Sequence, residues 1–154
     1  MIVVDLPDEA ATAALAARIA AQVVPGDIIA LRGDLGAGKT SFARAFIRAR
    51  GDADEEVPSP TFTLVQIYQS DAVAIWHFDL YRLDRAEEAW ELDIEEAFAS
   101  GVSLIEWPDR LASLLPQRRL EITLDFGDLP NARRASLAGD AGWRARLIGV
   151  DANA

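Results

Sequence analysis

The sequence predicts an α/β fold, on three observations. Short runs of β-branched and aliphatic residues alternate with stretches whose apolar positions recur every three or four residues. One of the short runs delivers the chain into a glycine-rich turn followed directly by an amphipathic stretch. The 154 residues, 51% of them apolar, form one domain spanning 1–154, long enough to bury roughly two thirds of the unfolded chain's surface.

The elements follow in order. Ile2–Leu6 is short and β-branched and predicts a first strand. Asp8 then caps a helix whose Leu15, Ile19 and Val23 fall on one face, and Pro25-Gly26-Asp27 stops it. Ile28–Leu31 is a short buried strand leading into the glycine turn. Beyond it, Phe42, Phe46 and Ile47 lie inward and Arg44, Arg48 and Arg50 outward on a helix closed by Gly51.

Val57-Pro58-Ser59-Pro60 cannot be helical and predicts an extended loop. Thr61–Tyr68 and Ala72–Asp79 predict an antiparallel hairpin turning at Gln69-Ser70-Asp71. A capping box of Asp84 and Glu87 predicts a helix through Ala86, Trp90, Ile94, Ala97 and Phe98, broken near Asp93. Val102–Ile105 is a buried strand stopped by Glu106-Trp107-Pro108, and a helix through Leu111, Leu114 and Leu115 ends at Pro116. Arg119–Phe126, Arg134–Ala138 and Trp143–Ile148 are strand-like or mixed.

Composition excludes several functions. There is no cysteine, so disulfides, thiolate catalysis and zinc–thiolate sites are out. The N-terminus carries no basic segment followed by an apolar run, and no stretch approaches the ~18 apolar residues of a membrane span. A cytoplasmic protein with no membrane partner is expected. Net charge is −10, with acids grouped at Asp52, Asp54, Glu55 and Glu56 and again from Asp84 to Glu96. Such a surface repels phosphate backbones, so any RNA in its pathway is expected to be held by another subunit.

The turn after Leu31 carries the chemistry. Gly33-Asp34-Leu35-Gly36-Ala37-Gly38-Lys39-Thr40 matches G-x-x-x-x-G-K-[ST], the P-loop (Walker A) pattern, in its strand–loop–helix context. Lys39 is the only lysine among fifteen basic residues; the rest are arginine. A compact ammonium suits a tight phosphate loop where arginine's planar fork does not. The glycines free backbone N–H groups for the phosphates, the helix N-terminus adds its dipole, Lys39 bridges the β- and γ-phosphates, and Thr40 places its hydroxyl on Mg²⁺.

A carboxylate at the end of a buried strand must help hold that magnesium. Asp79 and Glu106 compete for the role. The strand ending in Glu106 is the more uniformly apolar, as a central parallel strand should be. Glu106 is therefore assigned to the metal, directly or through water, and Asp79 to the γ-phosphate or the attacking water. His77, the only histidine, is expected to pack or to orient Asp79, with a catalytic role open beside it. Thr61 is placed to sense the γ-phosphate from a switch-like loop. The four tryptophans are read as core or interface aromatics. No Asn-Lys-x-Asp guanine reader and no L-S-G-G-Q signature occurs; a small-molecule kinase stays open, with a lid drawn from Arg110, Arg118, Arg119, Arg133 and Arg134.

The P-loop, then Ser59-Pro60-Thr61-Phe62-Thr63-Leu64-Val65, then His77-Phe78-Asp79-Leu80-Tyr81-Arg82-Leu83, then Ile105-Glu106-Trp107-Pro108, taken together, resemble the TsaE (YjeE) family. Leu6-Pro7-Asp8-Glu9 resembles it as well. The resemblance implies a P-loop NTPase-like, three-layer α/β fold around a mixed central sheet, and a bacterial ATPase serving threonylcarbamoyladenosine (t6A) modification at position 37 of tRNA. It implies ATP and Mg²⁺ as cofactors, the metal on Thr40 and Glu106, and nucleotide contacts from Glu9, Gly33, Leu35, Gly36, Ala37, Gly38, Lys39, Thr40 and Ser41. It implies TsaD and TsaB as partners, with TsaD transferring the threonylcarbamoyl group, tRNA reached only through that complex, and weak ATP hydrolysis resetting the pair. Lys39, Asp79 and Glu106 would be the catalytic residues. Open beside it are a docking module controlled by nucleotide with negligible turnover, and the kinase.

Overall fold

The computed structural model describes residues 1–70 and 73–152. Seven strands form one mixed sheet: β1 (Ile2–Leu6), β2 (Ile28–Arg32), β3 (Val65–Gln69), β4 (Ala74–Asp79), β5 (Val102–Glu106), β6 (Leu120–Phe126) and β7 (Arg133–Gly139). Their order is β1-β7-β6-β2-β5-β4-β3. The inner strands β6, β2, β5 and β4 run parallel, while β3, β7 and β1 add antiparallel edges.

Helices cover both faces, giving three layers. Helices α1 (Glu9–Ala20), α2 (Lys39–Arg50) and α4 (Ala141–Ala152) bury Leu15, Ile19, Phe42, Phe46 and Trp143 against one face. The 3-10 helices Ala86–Leu92 and Pro108–Leu114, with α3 (Ile94–Ser100), bury Ala89, Ile94 and Leu111 against the other. β2 and β5 are buried along nearly their whole length, which is why Ile28–Leu31 and Val102–Ile105 show no alternation. Among the described residues no helix is long and apolar enough to cross a membrane.

Local sequence explains most boundaries. Asp8, extended at φ −154°, accepts a 2.8 Å hydrogen bond from the Ala11 amide and starts α1. Three expectations shift. Thr61–Leu64 is a turn and β3 begins only at Val65, because Leu64 takes a left-handed φ of 68°. The capping box lies one residue on from Asp84 and Glu87: the Arg85 amide donates to Glu88 Oε1 at 2.9 Å. Asp93, at φ 58°, then splits the segment into a 3-10 helix and α3. Trp143–Ile148 is helical, with Asp140 Oδ1 accepting from the Trp143 amide at 3.0 Å. Gln69, expected in the β3–β4 turn, is the last residue of β3 and pairs with Ala74; Ser70 is described beyond it, and Asp71 and Ala72 lie outside the described residues.

Arg32, at the end of β2, ties the sheet to its second face. It bonds Glu121 on β6 through Nε at 3.1 Å and Nη2 at 2.8 Å, and also meets Asp109. Arg119 adds a 2.7 Å bond to Glu121 Oε1. The Arg32 hydrogen bond above all, opposed by partial burial and aided by Arg119, holds the Glu121 carboxyl below the usual glutamate range. A carboxyl lowered on folding stabilises the fold above its unfolded pKa, and that contribution is lost as pH falls through the folded value. Glu121→Gln is therefore expected to cost about 1 kcal/mol at neutral pH, with the gap closing at acid pH, below the usual glutamate range. Thermal melts at both pH values check this; equal melting temperatures at pH 7 would refute the role.

Candidate nucleotide site at the end of the parallel strands

The turn between β2 and α2 has the conformation its glycines permit. Gly33, Gly36 and Gly38 have φ of 146°, 83° and 105°, a region costly to residues with a Cβ. A Cβ on Gly33 would sit 2.6 Å from the Leu124 carbonyl oxygen of β6. Gly38 is the N-cap of α2 and supplies no side-chain cap, whereas α1 is capped by Asp8. The first amides of α2 are thus left for an anion, at the positive end of the helix dipole.

Opposite the loop stand the ends of β4 and β5. Asp79 and Glu106 are register partners on these parallel strands, so both carboxylates emerge at one level on one face. Both are buried, as is Lys39. The Thr40 hydroxyl donates between Glu106 Oε1 and Oε2, at 3.0 and 3.1 Å. His77, fully buried on β4, bonds Glu106 Oε2 through Nε2 at 2.7 Å. With a carboxylate as acceptor, Nε2 carries the proton and the imidazole locks the carboxylate's orientation. The histidine therefore orients Glu106 and not Asp79, because β4 and β5 bring its ring beside the neighbouring strand's side chain.

Asp79 has its own support. Oδ1 accepts from the Tyr81 amide at 3.1 Å and Oδ2 from the Thr61 hydroxyl at 3.2 Å. Thr61 in turn takes a 2.7 Å hydrogen bond from Ser59, since its single proton goes to Asp79. The loop expected to be switch-like is thereby wired to the carboxylate beside the metal candidate. Lys39 Nζ donates to the Gly33 carbonyl at 2.6 Å and lies 3.5 Å from the centre of the Trp107 ring. Burial pushes the ammonium below the ordinary lysine range, opposed by the charges of Glu106, Asp79 and Asp34.

Lys39, Thr40, Ser59, Thr61, Asp79, Glu106 and Trp107 line a cleft of about 380 Å³ with Leu35, Gly36, Gly38, Ser41, Tyr81 and Arg82, and His77 lies behind Glu106, outside its lining. A second cavity, of about 450 Å³, lies across the loop and shares Gly36, Gly38 and Ser41 with the first. Glu9 lines this second cavity, with Arg44, Asn131 and Arg133, and not the first. Gly33 and Ala37 line neither; Ala37 is buried and the Gly33 backbone packs against β6. The oxygen donors Thr40 and Glu106 suit a hard cation such as Mg²⁺, which takes hydroxyl and carboxylate ligands and keeps several waters.

A family model described as Threonylcarbamoyl adenosine biosynthesis protein TsaE matches residues 6–135. The chain belongs to the TsaE family. Among its relatives, a Rickettsia felis protein named tRNA threonylcarbamoyladenosine biosynthesis protein TsaE is 41% identical over 132 residues, 86% of this chain and 77% of its own. A Bacillus subtilis protein of the same name is 40% identical over 119 residues, 77% of this chain and 72% of its own. The crystal structure of Bacillus subtilis YdiB superposes with a TM-score of 0.79 at 30% identity, covering 99% of this chain and 97% of that one. The family match runs well past the four motifs and takes in β6 and the start of β7.

Two residues of this cleft and its loop were missed by sequence reading. Trp107, read as a core or interface aromatic, forms part of the cleft wall over Lys39; its φ of 58° just after β5 turns the chain back toward the loop. Its place next to Glu106 was the available signal. Arg133, grouped with the lid arginines, donates to the P-loop carbonyls of Ala37 and Gly36 at 2.9 and 3.3 Å. Of the other lid candidates, Arg119 pairs with Glu121 and Arg134 with Asp5, while Arg110 lies over Tyr81. Gly33→Ala combines a strained φ with a backbone clash and is expected to destabilise the fold by about 2 kcal/mol or more. A thermal melt indistinguishable from the parent's would contradict this packing.

Proposed function

We propose that this TsaE-family chain binds and hydrolyses Mg·ATP as an accessory subunit in tRNA t6A biosynthesis, resetting a TsaB–TsaD pair between cycles. One observation carries the reading: a Thr40–Glu106–His77 chain, buried at Glu106 and His77, and a loop-supported Asp79 face an uncapped helix N-terminus and a buried Lys39. Thr40 and Glu106 would hold Mg²⁺, which when bound neutralises charge on the phosphates. Lys39 would stabilise the negative charge of the transferring phosphoryl group. Asp79, fixed by the Tyr81 amide and the Thr61 hydroxyl, would orient the attacking water. The net charge of −10 fits a subunit that reaches tRNA only through its partners.

Phosphate release from Mg·ATP, measured with the chain alone and then with TsaB, TsaD and tRNA, tests the proposal. Strong stimulation is expected, with Asp79→Ala and Glu106→Ala each lowering stimulated turnover about a hundredfold while the fold persists by circular dichroism. Parent-like turnover in both variants would show the site to be misplaced. Transfer of the γ-phosphoryl group to a small acceptor instead of water would establish the kinase.

A second reading, docking controlled by nucleotide without turnover, draws on the loop beside Asp79. Phe62, adjacent to Thr61, is 82% exposed and lies under the Arg82 guanidinium at 4.6 Å. Thr61→Ala separates the two: it is expected to lower partner-stimulated hydrolysis about tenfold, the scale of one lost charge-assisted hydrogen bond, with ATP affinity nearly unchanged. Equal losses in both would remove the switch role.

A further inference from the structure

We propose that Arg133, on the strand β7 far along the chain from the P-loop, is a positioning residue that holds the loop in its phosphate-binding form. The inference rests on the nucleotide reading above but concerns a residue which that reading leaves unassigned. Arg133 Nε donates to the Ala37 carbonyl at 2.9 Å and Nη2 to the Gly36 carbonyl at 3.3 Å. Nη1 donates to the carbonyls of Pro130 and Ala132, at 2.8 and 2.7 Å, and the guanidinium carbon lies 4.9 Å from the centre of the Phe126 ring. The β6–β7 turn thus anchors one terminal nitrogen of the guanidinium, Nη1, and leaves Nε and Nη2 to hold the loop.

A trans peptide is planar, with its C=O and N–H on opposite sides. Fixing the Ala37 carbonyl outward on Arg133 therefore turns the N–H of Gly38, in the same peptide, the other way, toward the phosphate side. Gly38 is the N-cap of α2, at φ 105°, a conformation open to glycine because it has no Cβ, so its own side chain does nothing to fix the preceding peptide. The Gly36 peptide is held at both ends, because its N–H partner atom, the Ala37 amide, donates to the Asp34 carbonyl at 3.0 Å. The loop is also braced from the same hairpin by Leu124, whose carbonyl leaves no room for a side chain at Gly33.

All four of these Arg133 hydrogen bonds end on neutral carbonyls, and among the described residues no carboxylate forms an ion pair with it. Its positive charge is therefore uncompensated directly behind the loop that would take a polyphosphate. An arginine serving only to staple β7 to β6 would be as well satisfied by a carboxylate. The planar fork is required, since lysine offers no fixed pair of donors for two successive carbonyls.

The test uses inorganic tripolyphosphate and ADP as calorimetric probes, with the full chain and its Arg133→Ala and Arg133→Lys variants. Loss of loop positioning is expected to weaken both probes about tenfold in Arg133→Ala, with Arg133→Lys recovering less than the full affinity. Weaker ADP binding with parent-like tripolyphosphate binding would mean that Arg133 touches the base or ribose, and would overturn the proposal. Parent-like binding of both probes, with only a lowered melting temperature, would overturn it in favour of a structural staple. Should Arg133→Ala not fold, Arg133→Lys decides alone, and parent-like tripolyphosphate affinity there refutes the fork. Lys39→Ala, run in parallel, isolates the premise: if it binds both probes as the parent does, the nucleotide reading fails and not the arginine's role within it.

Discussion

The parallel pairing of β2 with β5, and of β5 with β4, is the constraint on which the site depends. Leu31 pairs with Glu106, and Glu106 with Asp79, so the glycine loop and two carboxylates leave the sheet at the same level. A shift of one residue in either pairing would turn a carboxylate to the opposite face of the sheet, into the layer of Phe78 and Ile105. The register is secured by apolar burial and not by the site: β5 is buried at every residue and β2 at four of five. Hydrophobic packing therefore sets the positions of the charged groups to within a hydrogen bond's tolerance.

That placement is costly in itself. Lys39, His77, Asp79 and Glu106 are all buried, and unpaired charges there would be expelled or neutralised. Each is compensated locally: Glu106 by Thr40 and His77, Asp79 by a backbone amide and Thr61, Lys39 by the Gly33 carbonyl and the Trp107 ring. The compensation is incomplete, and the His77 Nδ1 has no hydrogen-bond partner. A buried polar cluster tolerated at such a cost is characteristic of a site kept for binding, not for stability.

The second half of the chain gives the loop its backing. β6 supplies the carbonyl that makes Gly33 obligatory, and β7 supplies Arg133. Arg32 and Glu121 fasten β6 to the end of β2, from which the loop springs. The antiparallel strands β7 and β1 extend the sheet past β6 on this side, and the second cavity, lined by Glu9 and Arg133, opens between α1 and the loop. The TsaE family match runs through residue 135 and so takes in β6 and the first residues of β7.

The sequence by itself determined what depends on local chemistry. The P-loop, the capping by Asp8, the buried strands β2 and β5 and the two candidate carboxylates were legible because spacing, turn residues and apolar runs act over a few neighbours. The four-motif resemblance to TsaE added the family. Only the tertiary structure decided which side chains meet across the sheet. It gave His77 to Glu106 and not to Asp79, laid Trp107 over Lys39, and brought Arg133 to the loop from 96 residues away. It also made a helix of Trp143–Ile148 and delayed β3 to Val65, where burial and one left-handed residue outweighed strand-like composition. Such contacts are set by strand order and register, and these are properties of the whole packed chain that no local window of sequence contains.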